Sequence, residues 1–554
     1  MRKHYAVAGA AIAGVAAIAV AGLAFGNDTA SLTSVAAQPK AAGYAPASQL
    51  SPELRQAPVA YGAMPLENPQ GIVTHYGYEN DTPSPDNAAL PQMVPAKGST
   101  TEAQKTEPDK NTYLVLKHET GADPNYNYGT HFLFQGHEVG APIPGTSLSQ
   151  GYITRINLDA DAKHRVTLMA TKDVNGNPIQ GIDGSTWDSW AHRLILTTEN
   201  SSAPTYAATA TFPSTVTDLS GSLGRGGYEG VQNDSKGNVW IVEDVGGAFK
   251  TDPSNNNAVT TAKRPNSFIY RFVPTTRNDL TKGKLQVLQV LNHANAPITF
   301  ASQAALMAPD QVAEHVYGST FTTKWITIHD TATDGTAPFQ ANTLAKAAGA
   351  TPFKRPENGQ FRPGSHFTQF YFDETGDTDA TSPENGNATT GVGGAGGWGS
   401  IMKLTQTNPS ADTGTLSLFY NDSEAVSGLD NVTFLSRNQV TFVEDAGDTL
   451  HTQRKALDSG YVFDVRTNYA TGVQPIRWLG EGRDPSATLD SANGGFGKNE
   501  GDNEITGVHV SNGDPGPDGI LGAKVPNLQS SHWRWFWTQQ HGDNMTWEVT
   551  LAGK

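Results

Sequence analysis

Gly227-Tyr-Glu-Gly-Val-Gln-Asn-Asp-Ser-Lys-Gly-Asn-Val-Trp-Ile-Val-Glu-Asp-Val-Gly246 and Gly428-Leu-Asp-Asn-Val-Thr-Phe-Leu-Ser-Arg-Asn-Gln-Val-Thr-Phe-Val-Glu-Asp-Ala-Gly447 align with each other without a gap. Each copy has a carboxylate near its head, at Glu229 and Asp430. A polar turn follows, then a β-rich run, Val239 to Val242 or Val440 to Val443. The run closes in Glu-Asp-x-Gly, with Glu243-Asp244 in one copy and Glu444-Asp445 in the other. That order predicts a strand, a tight turn, a second strand and an acidic pair where the second strand stops. One hairpin cannot bury its own apolar face, so its recurrence predicts units packed against one another, as in the blades of a propeller. Carboxylates at matching ends of matching hairpins then converge on one end of a shared axis, where their oxygens suit a hard cation.

Related units flank these two. Leu194-Ile-Leu-Thr-Thr-Glu-Asn200 is a strand run ending in Glu199. Arg355-Pro-Glu-Asn358 heads a hairpin that returns through Phe370-Tyr-Phe-Asp-Glu374. A last unit opens at Asn503-Glu-Ile-Thr-Gly507 and closes at Trp535 to Asp543. Earlier runs, such as Thr112 to Leu116 and Thr130 to Phe134, are short, β-branched or aromatic, and separated by turns. Helix-period segments are scarce, the best being Ser302 to Val316. The expected class is all-β, with units packed as in a propeller and Gly-rich insertions at 391–397 and 494–497.

The 554 residues carry a net charge of −16 and no basic stripe, which argues against nucleic acid as a partner. With no cysteine there is no disulfide, thiolate ligand or cysteine nucleophile. Met1-Arg-Lys-His4 precedes the apolar run Ala6 to Phe25, so residues 1–26 read as an export signal, with cleavage near Ala24 or Ala37. The run is also long enough to serve as an uncleaved anchor. Residues 27–110, rich in Ala, Pro and Ser, read as a linker or surface arm, and 111–554 as the propeller domain. The expected product is a secreted or periplasmic monomer with no membrane span after signal cleavage.

The serial order of Leu-Thr-Thr-Glu-Asn200, Gly227-Tyr-Glu-Gly-Val231, Ser267 to Val273, Gly283 to Val287, Arg355-Pro-Glu357, Leu429-Asp-Asn431, Asn503 to Gly507 and Gln540-His-Gly542 resembles the PhoX-type alkaline phosphatase family of secreted bacterial proteins. The resemblance implies a six-bladed propeller whose axial acids hold calcium and ferric ions around an oxo bridge and a phosphate ester. It implies Glu199, Glu229, Glu243, Glu357 and Asp430 as metal-site positions. The family's Cys-Glu-Glu, whose cysteine ligates iron, is here Thr197-Thr-Glu-Asn200. The thiolate ligand is therefore lost, which makes calcium the expected ion.

Arginine's planar fork matches two phosphate oxygens, which makes Arg355 the leading phosphate clamp and Arg271 the second candidate. Either also reads as the partner of a nearby carboxylate. His541 and His451 are candidate proton donors or metal ligands, and each also reads as a structural histidine. Residues 321–337, with Trp325, His329, Asp330 and Asp334, read as a loop. No glycine run continues into Lys-Ser/Thr, and no Gly-x-Ser-x-Gly elbow occurs, so nucleotide-loop and serine-hydrolase chemistry have no support. The expected activity is metal-dependent hydrolysis of small phosphate monoesters. The alternatives are a calcium-bearing binding module of the cell envelope, or a hydrolase of phytate, phosphodiesters or lactones.

Overall fold

The computed structural model describes residues 31–40, 47–62, 64–71, 73–78, 105–138, 143–146, 148–248, 251–252, 254, 258–259, 263–303, 308–376, 395–423, 425–482, 504–540 and 544–553. The export signal expected over 1–26, His541 and the Gly494 to Gly497 insertion lie outside these residues. Among the described residues no helix is long and apolar enough to cross a membrane.

Six antiparallel four-stranded blades follow in chain order. Blade one is Pro108–Val115, His131–His137, Tyr152–Asn157 and Val166–Ala170. Blade two is Ser185–Asp188, Arg193–Leu196, Tyr206–Ala208 and Val216–Asp218. Blade three is Tyr228–Asn233, Val239–Glu243, Ile269–Pro274 and Gly283–Leu291. Blade four is Gly359–Phe361, Gln369–Glu374, Ser400–Gln406 and Thr413–Asn421. Blade five is Leu429–Phe434, Gln439–Glu444, Ser459–Asp464 and Ile476–Gly480. Blade six is Glu504–Ser511, Arg534–Gln540 and Met545–Leu551, with Leu54–Ala60 as its fourth strand. The first strands of successive blades touch in turn, and that of blade six touches that of blade one, closing a ring around the axis.

The N-terminal segment departs from the surface arm expected over 27–110. Leu54–Ala60 pairs with Met545–Leu551, so one sheet holds strands from both ends of the chain. Pairing an early strand with the last blade removes the open edge that a ring would otherwise leave. Gln49–Leu50 adds a fifth strand to blade five. Asp109 and Lys110, placed before the expected domain start, belong to the first strand of blade one.

Residues 321–337 also depart from expectation. Phe321–Asp330 is a strand that joins the outer strands of blades three and four into one nine-stranded sheet. Its buried residues include Phe321, Thr323 and Trp325, two apart, which is the period of a half-buried strand.

Aromatic clusters between blades bind the ring together. Between blades three and four, Trp240 meets Trp325 and Phe361 edge to face at 5.1 and 5.0 Å. Between blades five and six, Trp478 and Trp535 pack at 4.5 Å. Side chains of this size contribute most of an interface's apolar burial, and removing one costs about 3–5 kcal/mol.

Candidate metal centre

A shared backbone device sets the inner residues of blades one, three and five. Pro108 faces His137, Tyr228 faces Glu243, and Leu429 faces Glu444. Pairing then slips by one residue, resuming at Asn111 with Gln135, Val231 with Ile241, and Val432 with Phe442. Each slip is a β-bulge, which breaks the alternation of the strand and re-aims a side chain. The first bulged residue is an acid in all three blades: Asp109, Glu229 and Asp430. Just beyond the facing residue comes a second acid: Glu138, Asp244 and Asp445. Blade two adds Asp183 and Glu199 beside its first hairpin, and blade four adds Glu357.

Three overlapping groups result, each with one ligand oxygen per residue and all within 4.8 Å of one another. They are Asp109, Glu138 and Asp183; Asp183, Glu199 and Glu229; and Glu229, Asp244 and Glu357. Asp183 and Glu229 are shared, so the groups form a continuous acid row across blades one to four. A cavity of about 310 Å³ lined by Glu138, Gln180, Glu199 and Asn200 opens onto it.

Arg355 stands at one end of the row. Its Nε and one terminal nitrogen donate to the two oxygens of Asp244 at 2.7 and 2.6 Å, and the same terminal nitrogen donates to Glu357 Oε1 at 3.0 Å. Arg355 has a left-handed φ of 54°, uncommon for a residue with a Cβ and characteristic of sites where the surroundings fix the backbone. At the other end, Gln540 Nε2 donates to Glu138 Oε1 at 2.7 Å, and the Thr506 hydroxyl donates to Asp109. Asn358 Nδ2 bridges Glu229 Oε1 and Asp430 Oδ1 at 2.8 and 3.0 Å.

Burial and like charge together push most of these acids up. Glu229 is raised well above the usual range by burial, then by the charges of Asp183, Asp430 and Glu357. Asp183 is raised by burial and by Asp109 and Glu138. Glu357 is raised by burial and by Asp244 and Asp430, against the pull of Arg355. Asp244 is the exception. Burial raises it, but the Arg355 charge and hydrogen bonds outweigh burial and hold it below the usual range. The row thus stores repulsion that protonation or a bound cation relieves.

Of the metal positions expected from the sequence, Glu199, Glu229 and Glu357 fall in the row. Asp430 lies beside Glu229 across Asn358 but outside the three groups. Glu243 is elsewhere. It accepts from the Phe268 N–H at 3.0 Å, the Tyr270 hydroxyl at 3.1 Å and Asn342 Nδ2 at 3.0 Å, and burial raises it to about 8. Successive residues point to opposite faces as a strand ends, so Asp244 takes the place expected of Glu243. Arg355 is bonded to two members of the row, Asp244 and Glu357. Arg271 is not: it lies over the Trp325 ring at 4.6 Å and donates to the carbonyls of Pro409 and Ala411. His451 is bonded to Asp458 at 2.8 Å. Sequence reading missed Asp109, Glu138 and Asp183 as site residues, although extending the twin-hairpin alignment to blade one would have found Asp109 and Glu138. The Thr198 hydroxyl donates to the Pro204 carbonyl, and that of Thr197 to the Glu229 carbonyl.

Fold and acid row together define an all-β propeller with a cation-ready axis. Pseudomonas fluorescens PhoX in complex with vanadate, a transition state analogue, aligns with 94% of this chain and 98% of its own at 12% identity, with a TM-score of 0.51. That likeness is one of fold. A glucose dehydrogenase aligns with 67% of this chain and 96% of its own at 12% identity and a TM-score of 0.26. No curated protein matches the chain. Residues 247–514 match the family model described as Alkaline phosphatase PhoX.

Proposed function

We propose that the chain is an exported, metal-dependent phosphatase acting on small phosphate monoesters, with calcium held by the axial acid row. The observation that carries the reading is the setting of Arg355. A guanidinium fork is fixed on Asp244 and Glu357, two members of an all-oxygen donor row, in a chain whose residues 247–514 match a family model of alkaline phosphatases.

The residues fit a hard cation. Every charged donor in the row is a carboxylate oxygen, the ligand type calcium prefers. Among the described residues Glu357 Oε2 and Asn358 Oδ1 are buried without a hydrogen-bond partner, which is costly for an acceptor unless a cation or water satisfies it. Glu229, Asp244 and Glu357 would hold one ion, and Asp109, Glu138 and Asp183 another. An ion held there would supply positive charge to phosphoryl oxygens and would acidify a water. No thiolate is present, and Thr197 and Thr198 spend their hydroxyls on backbone carbonyls, so these donors favour calcium over iron.

The chain's own groups supply orientation and charge. Asp244 grips two nitrogens of Arg355 and sets the plane of the guanidinium. Arg355 then offers a planar, fixed positive charge where a phosphoryl group gains negative charge, which is worth most in a site shielded from water. Glu199 and Asn200 line the open cavity, which admits a small substrate from solvent. His541, next to Gln540, is proposed as the proton donor to the leaving group.

Phosphate release from p-nitrophenyl phosphate tests this reading, with the purified protein in chelator, in calcium, and in calcium plus ferric iron. Turnover that requires calcium and disappears in Asp244→Asn is the expected outcome. Folded, calcium-loaded protein with no turnover would move the reading to a binding propeller. Turnover confined to phytate, a phosphodiester or a lactone would reassign the substrate. Recovery of shortened protein from the medium or periplasm, eluting as a monomer, checks export and assembly.

A further inference from the structure

Lys110 is among the most deeply buried lysines of the described chain, 3% exposed in the middle of the acidic axis. The carboxylates whose charge acts on it are, in order, Asp430, Asp109, Glu229 and Asp373. They come from blades five, one, three and four. Its Nζ donates to Asn431 Oδ1 at 2.8 Å, and Asn431 Nδ2 in turn donates to both oxygens of Asp430 at 2.7 Å. An ammonium polarises the amide, and the amide passes that polarisation to a carboxylate.

The bulge explains how a lysine reaches this place. Lys110 is the second bulged residue of blade one, and Asn431 holds the same position in blade five. The two equivalent residues meet. Blade three has Gly230 there, where a Cβ would lie 2.7 Å from Asn358 Cα, so no side chain fits.

The same contacts account for the position of Asp430. It neighbours Glu229 yet belongs to none of the three candidate ligand groups. Asn431 takes both of its oxygens, and Asn358 takes one as well. The acids of blades one to four lie within one another's reach, and Asp430 touches that row through a hydrogen bond with Glu229. An isolated buried ammonium is expensive, and one placed among four carboxylates is stabilised by them.

We propose that the Lys110 ammonium is a resident cation of the axis: it occupies the inner end of the acid cluster as a metal ion would, keeps Asp430 from acting as a ligand, and so limits how many divalent ions the chain binds. Lys110 is a positioning residue, acting through Asn431. This inference rests on the reading of the row as a metal site.

The test counts calcium per chain by elemental analysis after dialysis, together with thermal unfolding in chelator and in calcium, for wild type, Lys110→Met and Lys110→Met/Asp430→Asn. Lys110→Met is expected to bind one more calcium than wild type and to gain more Tm on calcium addition. The double variant, which removes the freed ligand with the ammonium, is expected to return to the wild-type count. An equal count and an equal calcium-induced Tm gain in Lys110→Met would overturn the proposal. If Lys110→Met folds only with calcium, that dependence supports the proposal, provided that the double variant folds without it. Because the decision rests on a difference in counts, a wild type that binds no calcium sinks the metal reading while the variants still decide Lys110.

Discussion

In blade three, buried Glu243 accepts from a tyrosine, an amide and a backbone N–H, with the charge of Lys346 acting on it; in blade five its twin, Glu444, is gripped by both terminal nitrogens of Arg454 at 2.9 and 3.1 Å. The next residue of blade three does meet an arginine. Asp244 carries the arginine in blade three, and that arginine comes from blade four. Both hairpins share the same pairing and the same bulge, so the backbone does not separate them. The neighbours do. Arg454 stands on the helix Gly447–Arg454, which directly follows the blade-five hairpin and is tied to Glu444 and Asp458. Arg355 stands at the axis, where a guanidinium beside acids can meet a ligand. A buried arginine of the first kind holds the fold, and the function proposed above gives one of the second kind a ligand to hold.

Arg454→Met should give the largest effect. It leaves Glu444 and Asp458 buried without their cation, which costs about 3–5 kcal/mol, read as a fall in denaturation midpoint. Turnover per folded molecule should stay within about twofold. A variant that unfolds at the wild-type midpoint would break the distinction between the two arginines. Arg355→Ala should lower kcat/KM for p-nitrophenyl phosphate by about 10²–10³-fold, the usual cost of losing a donor to transition-state charge. Arg355→Lys should recover little, because an ammonium cannot span both oxygens of Asp244.

Asp244→Asn should weaken calcium binding by about 10–100-fold in titration calorimetry, while Glu243→Gln should leave it unchanged. Equal effects from the two would place both residues at the site.

The smallest effect sharpens the fate of Glu243. Its carboxyl sits near 8 when folded, above the ordinary value of 4.5, so the folded chain binds a proton there that the unfolded chain releases. That contribution is complete below about 4.5 and fades as pH climbs through about 8. Glu243→Gln, assayed in chelator, should therefore lose less Tm than wild type between pH 5 and pH 8.5, with a difference of about 5 °C or less. A Tm difference that does not change with pH would remove the titration from the account.

The twin hairpins show how far local reading reaches. Alternation, turn residues and the Glu-Asp ending suffice to draw strands and to bring the acids to strand ends. They do not say which member of a Glu-Asp pair faces inward, because a one-residue slip exchanges the two faces. Glu243 was therefore expected where Asp244 stands. Asp109 and Lys110 were hidden for another reason: they open a blade whose preceding sequence looks like linker, and only the twin-hairpin alignment carried into that blade marks Asp109 as inner.

The sequence by itself determined that this is an all-β chain of repeated hairpins with acids at recurring ends and no thiolate to offer iron, since period, turn chemistry and composition are local properties. Only the tertiary structure decided which acids share an ion's reach, that Leu54–Ala60 closes the ring, and that Lys110 sits among the carboxylates. Those depend on bulges and on contacts between residues hundreds of positions apart, and no local pattern encodes the meeting of Lys110 with Asn431 across the axis.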